Sequence, residues 1–297
     1  MVNTRCMRQT LFSLILAAVL LPLSTLADTF SFEFDNDIII PNKLNTNKRH
    51  SDDDYSNGVR LDYLWDHWGL ALGQSMYTPE NIQTTENQIG DRQYAGYLYL
   101  EGNYRRTPLE FYALQIGFIG ENSYAHETQD FVHKVLDCKK PLGWDNQIEG
   151  HGIEAELIAK KMFWLYHNDW YYLTPVLTGS AGSVNVIGSV GLFQYFALGG
   201  YIPGYDTGLP VVEVRGASPF KSYLMMGVDC DFVAYNYFLD ADESTVDKKP
   251  VVAEALLGIG CTWNGFGVDF SYCLRSKEYD QQRNLAHFGI VKFRYTF

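Results

Sequence analysis

The sequence predicts an all-β fold: a twelve-stranded antiparallel barrel that crosses a membrane, with one short helix in an outward-facing loop. Three observations predict it. Apolar and polar residues alternate at period two through about twelve segments, and the 297 residues include 15% aromatics and 26 glycines. The third is an N-terminal apolar run too short to be a spanning helix.

That run, Leu11 to Leu21, follows Arg5 and Arg8 and precedes Thr25-Leu26-Ala27, a set of small residues suited to cleavage. It is shorter than the roughly 18 residues a transmembrane helix needs, so residues 1–27 read as a secretory signal peptide and 28–297 as one barrel domain. Without Arg5 and Arg8 the chain keeps 21 Lys and Arg against 35 Asp and Glu, a formal charge of −14. Such an acidic chain is a poor partner for nucleic acid. Cys138, Cys230, Cys261 and Cys273 form no metal-binding spacing and are expected as thiols that are buried or face lipid.

The alternating segments begin with TFSFEFDN (29–36), NGVRLDYLW (57–65), WGLALGQSMY (68–77), QYAGYLYLEGNY (93–104) and LEFYALQIGFI (109–119). They continue through HGIEAELIAKK (151–161), DWYYLTPVLTG (169–179), Ile187–Leu198, Lys221–Tyr237, Val251–Trp263, Phe266–Ser276 and Ala286–Phe297. Asn264-Gly265 is a two-residue hairpin signal that sets Trp263 opposite Phe266 and Cys261 opposite Val268. In the last segment Val291, Phe293, Tyr295 and Phe297 share one face, which resembles the C-terminal strand of bacterial outer-membrane proteins. With both ends in the periplasm, connections after odd-numbered strands face outward: residues 38–55, 77–91, 120–150 and 239–250. The Gly- and Pro-rich stretch 199–220 is longer than a periplasmic turn should be.

One stretch breaks the period. ENSYAHETQDFVHKVL (121–136) is poor in β-branched residues and reads as helix, which sets Gln129 and His133 side by side at i, i+4. Strand one ends in Asp35-Asn36-Asp37, and strand two begins after Asp52 to Gly58, so all three features reach the outer rim. A histidine as general base, amide and carboxylate oxygens for a hard cation, and the Ser56 hydroxyl together suit ester hydrolysis. Taken singly, each has a plainer explanation: Asn36-Asp37 as turn formers, the Asp52–Asp54 run as solvated loop, and His133 as a surface histidine with His126 and His151 as rivals.

FEFDND, DYSNGVRLDY, GQSMYTP, DRQYAGYLYL, QDFVHK, PLGWDNQIE and more weakly YNYFLD occur in an order that resembles the outer-membrane lipid A 3′-O-deacylase family. That resemblance implies a twelve-stranded barrel that uses Ca²⁺ to remove the 3′-linked acyloxyacyl group from lipid A in the outer leaflet. It carries catalytic roles to Asn36, Asp37, Ser56 and His133, and a cation shell to Asn36, Asp37 and Gln129. Ser56 stands where many members have threonine, and basic Lys139 stands where some have an acid; Asp137 and Glu149 are the nearby acids. Lys43, Lys48, Arg49 and Arg92 are candidates for the lipid phosphates, and a monomer is the default assembly. Two alternatives stay open: an outer-membrane phospholipase, suggested by Ser56-Asn57-Gly58 although Asp54 replaces the histidine that group carries, and a barrel without catalysis, as a pore or adhesin.

Overall fold

The computed structural model describes residues 28–36, 54–135, 137–199, 204 and 219–297, giving only the backbone of 54–56. The signal-peptide expectation for 1–27 lies outside these residues, as do Asp37, Lys43, Lys48, Arg49 and most of 199–220. Alternation becomes strand throughout: β1 (Thr29–Asn36), β2 (Asp54–Trp65), β3 (Trp68–Thr78), β4 (Ala95–Thr107), β5 (Glu110–Ile119) and β6 (Glu154–Met162). After the two-residue β7 (Tyr166–His167) come β8 (Tyr171–Gly182), β9 (Asn185–Leu198), β10 (Phe220–Asn236), β11 (Val251–Trp263), β12 (Phe266–Arg275) and β13 (Ala286–Thr296).

Each strand pairs antiparallel with its neighbour, β1 pairs β13 and β6 pairs β8, so twelve strands close without an edge. Closure leaves no unpaired backbone ladder facing lipid, which is the condition for spanning a bilayer. Asn264 and Gly265 both have positive φ, 46° and 87°, as the type I′ hairpin requires. The turn holds the register read from sequence, Trp263 against Phe266 and Cys261 against Val268. Cys230 and Cys261 are free thiols on the lipid side, and Cys273 is buried inside.

The two wall faces reverse the pattern of a soluble protein. Outward positions such as Leu70, Leu100, Leu114, Val190, Leu257 and Phe293 are exposed and apolar. Inward positions hold paired charges: Arg60 reaches Asp62 and Glu101, each at 2.7 Å, and Arg294 reaches Asp269 at 2.8 Å. Nearer the end with Asp28, Phe297 and the short turns, Phe111, Tyr172, Phe193, Tyr195 and Tyr223 fill the lumen. At the opposite end the loops are knitted together. Arg92 is buried and pairs with Glu278 at 3.1 Å, lying 4.5 Å from the Tyr77 ring centre, while Asp91 accepts a hydrogen bond from the Tyr279 hydroxyl at 2.9 Å. This corrects the sequence expectation for Arg92: a guanidinium buried against Glu278 serves the loop scaffold and is not presented to a lipid phosphate.

Candidate active site

The site is built on the outside of the wall. Phe30, Phe32 and Phe34 alternate with the inward Ser31, Glu33 and Asp35, so Asn36 continues the outward row. Register carries that row sideways: Asn36 lies opposite Asn57, Asn57 opposite Met76, and Met76 opposite Gly96. Asn36 and Asn57 are each only 4% exposed despite facing away from the lumen.

Helix α1 (Ala125–Val135) lies against the Met76–Gly96 end of this row. A 3₁₀ turn at Gly120–Ser123 leads into it, and Tyr124, with φ of 56°, bends the chain so that the helix returns along the wall. The seat is made by absence of a side chain. A Cβ on Gly96 would collide with Ser123 Oγ and Ala125 Cβ, so glycine is what allows the helix to touch β4. One strand away, Gln74 Nε2 donates to the Ser123 carbonyl at 2.6 Å. Glu127 in the first turn and Lys134 in the last oppose the helix dipole.

The buried stripe of α1 is Ala125, Gln129 and His133, so the i, i+4 pair predicted from sequence lies on the packed face. Both side chains are tethered by residues 137–147. The Trp144 indole donates to Gln129 Oε1 at 2.7 Å, and since an indole N–H can only donate, this fixes which end of the amide is oxygen. Gln129 therefore keeps its NH₂ as a donor, with one of its oxygen's two acceptor positions taken. His133 Nδ1 lies 2.5 Å from the Lys139 carbonyl. A carbonyl only accepts, so the neutral ring carries its proton on Nδ1 and its basic lone pair on Nε2.

The loop can reach back because Asp137 adopts φ of 55° beyond the helix end, and Cys138 N then donates to the His133 carbonyl at 2.8 Å. Lys139, the base found where an acid was sought, contributes its main chain. Glu149 accepts from the Glu121 amide at 3.2 Å, beside the turn that launches α1. Of the rival histidines, His126 stacks on Trp144 at 5.9 Å and His151 meets the edge of Tyr237 at 5.7 Å. Met76, Ile82, Tyr94, Ala125 and Trp144 form a small apolar core that joins helix, loop and wall.

Ser56 is placed only by its backbone, at an irregularity of β2 between Tyr55 and Asn57, one residue from the Asn36–Asn57 pair. Sequence reading missed Asn57, Gly96 and Trp144 as individual contributors, although all three stand inside the blocks that carried the resemblance. The signal for Gly96 was a glycine interrupting an aromatic strand, which marks a close approach. Asn57 Oδ1 is buried and has no hydrogen-bond partner among the described residues. An orphan amide oxygen beside Asn36 is a hard donor of the kind calcium takes, so the residues present fit such an ion.

A closed barrel with a helix packed on its outer surface, near one rim, defines a membrane-embedded protein that carries Gln129 and His133 on the lipid side of its wall. The chain matches outer membrane protein LpxR over residues 10–297 and belongs to that family. This is the family its sequence blocks resemble, and it places the barrel in the outer membrane. LpxR from Salmonella typhimurium has a similar structure, with a TM-score of 0.72 at 22% identity over 91% of this chain and 100% of that one. The β-domain of the Bordetella autotransporter Brka gives a TM-score of 0.42 at 11% identity, over 91% of this chain and 99% of that one. The latter is too distant to carry any inference. No curated protein matches the chain.

Proposed function

We propose that this protein is a lipid A 3′-O-deacylase, hydrolysing the ester that holds the 3′ acyloxyacyl group. The observation that supports it best is a tethered His133 on the buried face of a helix that packs on the lipid side of the wall, whose outward row includes Asn36 and Asn57. An ester of an outer-leaflet lipid is at that height without leaving the membrane.

His133 Nε2 takes the proton from the attacking oxygen, either a water or the Ser56 hydroxyl. The new C–O bond forms at the acyl carbon and the carbonyl oxygen gains the charge. The Gln129 NH₂, held by Trp144, is the side-chain donor available to that oxygen. Collapse breaks the bond between the acyl carbon and the sugar oxygen, which leaves as the alcohol with the proton His133 returns. Attack by water gives the carboxylic acid at once, whereas attack by Ser56 leaves the acyl group as an ester on that hydroxyl, which a water deprotonated by His133 then hydrolyses to the acid and free Ser56. Asn36, Asn57 and Asp37 are the residues that would hold calcium, which when bound supplies positive charge to a developing oxyanion.

Expression in a lipid A-bearing host, with extracted lipid A read by mass spectrometry, tests this. Wild type is expected to remove the acyloxyacyl mass; His133→Ala, or calcium chelation, is expected to prevent it while the heat-modifiable barrel band persists. Unmodified lipid A beside hydrolysed glycerophospholipid would favour the phospholipase reading. Neither product from a folded barrel would favour a barrel without catalysis.

A further inference from the structure

On the walls away from α1, the outward row is apolar over nearly the full strand, apart from Gln194 and Ser222: Val186 to Leu198 on β9, Phe220 to Phe232 on β10, Val251 to Trp263 on β11. Twelve residues rising about 3.3 Å each on strands tilted about 40° climb about 30 Å, the thickness of a bilayer's hydrocarbon. On β3 the exposed apolar row is Trp68, Leu70 and Leu72, a climb of about 10 Å by the same conversion. The next outward residue, Gln74, already holds the Ser123 carbonyl, and Met76 above it is fully buried. The helix thus covers a part of the wall that elsewhere faces lipid.

What α1 turns away from the barrel is correspondingly apolar. Phe131 and Val135, one turn apart, are each 66% exposed. Glu127 and Lys134 occupy one edge of this exposed arc, leaving the Phe131–Val135 edge without charge. Such an arrangement is that of a helix lying in a membrane interface. Because the opposite face packs on the outer surface of a barrel, this one points sideways into the leaflet.

We propose that the Phe131–Val135 ridge is a membrane-contact surface that replaces the missing upper part of the lipid-facing band and is covered by acyl chains of outer-leaflet lipid. The occupant follows from continuity with the band below. A lipid chain on the ridge stands one helix diameter, about 10 Å, from the Gln129/His133 stripe. The ridge would therefore line acyl chains up beside α1. This inference rests on the fold and the membrane location, and does not depend on the reaction proposed above.

An environment-sensitive fluorescent amino acid placed at 131, in full-length protein folded into phosphatidylcholine vesicles, tests it. Position 190 on the bare wall and position 127 on the charged edge are the references. Brominated-chain phospholipid is expected to quench at 131 at least half as strongly as at 190, and aqueous iodide to quench 127 several-fold more than 131. Iodide quenching at 131 equal to that at 127, with no bromolipid quenching, would overturn the proposal. A probe at 135 reads the same surface if the 131 variant does not fold.

Discussion

Buried polar groups occur in two regions of this molecule and are satisfied in different ways. In the lumen they satisfy one another: Arg60 is shared by Asp62 and Glu101, Gln115 and Asn103 add hydrogen bonds to Glu101, and Tyr223 and Arg294 converge on Asp269. On the outer wall the loop holds one atom of each group, Nδ1 of His133 and Oε1 of Gln129, and so decides the chemistry of the other atom. The lumen network thus gives rigidity, and the tethered outer groups give direction. Preorganised donors and bases of the second kind are what a reaction uses.

The comparison can be broken from its outer side first. His133→Ala removes the proposed base and is expected to lower the proposed deacylation by 10²-fold or more, with the barrel band unchanged. Trp144→Phe keeps the ring packing on Tyr94 and His126 but frees Gln129 to rotate. Losing one buried hydrogen bond of about 1 kcal/mol should slow turnover roughly fivefold, and replacing Gln129 by alanine in that background should cost less than it does alone.

Acid should act on the loop scaffold before the wall. Burial pushes the Glu278 carboxyl up, but Arg92 and Arg275 outweigh it and hold the group below the usual glutamate range. A carboxyl with a depressed folded pKa contributes stability above its unfolded value, near 4.3, and loses that contribution as pH falls through the folded value. Limited proteolysis should therefore find the outer loops opening below about pH 4 while the barrel stays folded, and Glu278→Gln should open them at neutral pH. The smallest effect is expected at the helix end. Asp137→Gly relieves a left-handed residue and should stabilise the loop by up to about 1 kcal/mol, with turnover within about twofold of wild type. A large loss of calcium affinity in that variant would instead place Asp137 in the cation shell.

Much of this architecture was legible because a barrel strand repeats one rule. Outward residues meet lipid, except where α1 covers the wall, and inward residues meet the lumen, so period two in FEFDN or VKFRYTF maps directly onto the wall. The Asn264-Gly265 turn fixed a register by backbone conformation alone. The helix was legible as a break in that rule, and its Gln129/His133 stripe followed from helical spacing. What stayed hidden depends on contacts between distant segments. Trp144 could have been an ordinary loop aromatic, Lys139 acts through a carbonyl that any residue possesses, and Arg92 looked available because its partner Glu278 lies 186 residues away. No local pattern encodes such a pairing.

The most direct test compares lipid A processing by Gly96→Val and Arg60→Met, each normalised to heat-modifiable barrel. The first variant displaces α1 from the wall. The second leaves Asp62 and Glu101 without their cation, at a stability cost of about 3–5 kcal/mol, but leaves the helix on the outer face alone. Loss of processing in Gly96→Val, with near wild-type turnover per folded barrel in Arg60→Met, is the predicted result. Retained processing in Gly96→Val and its loss in Arg60→Met would contradict an external site and move the chemistry into the lumen.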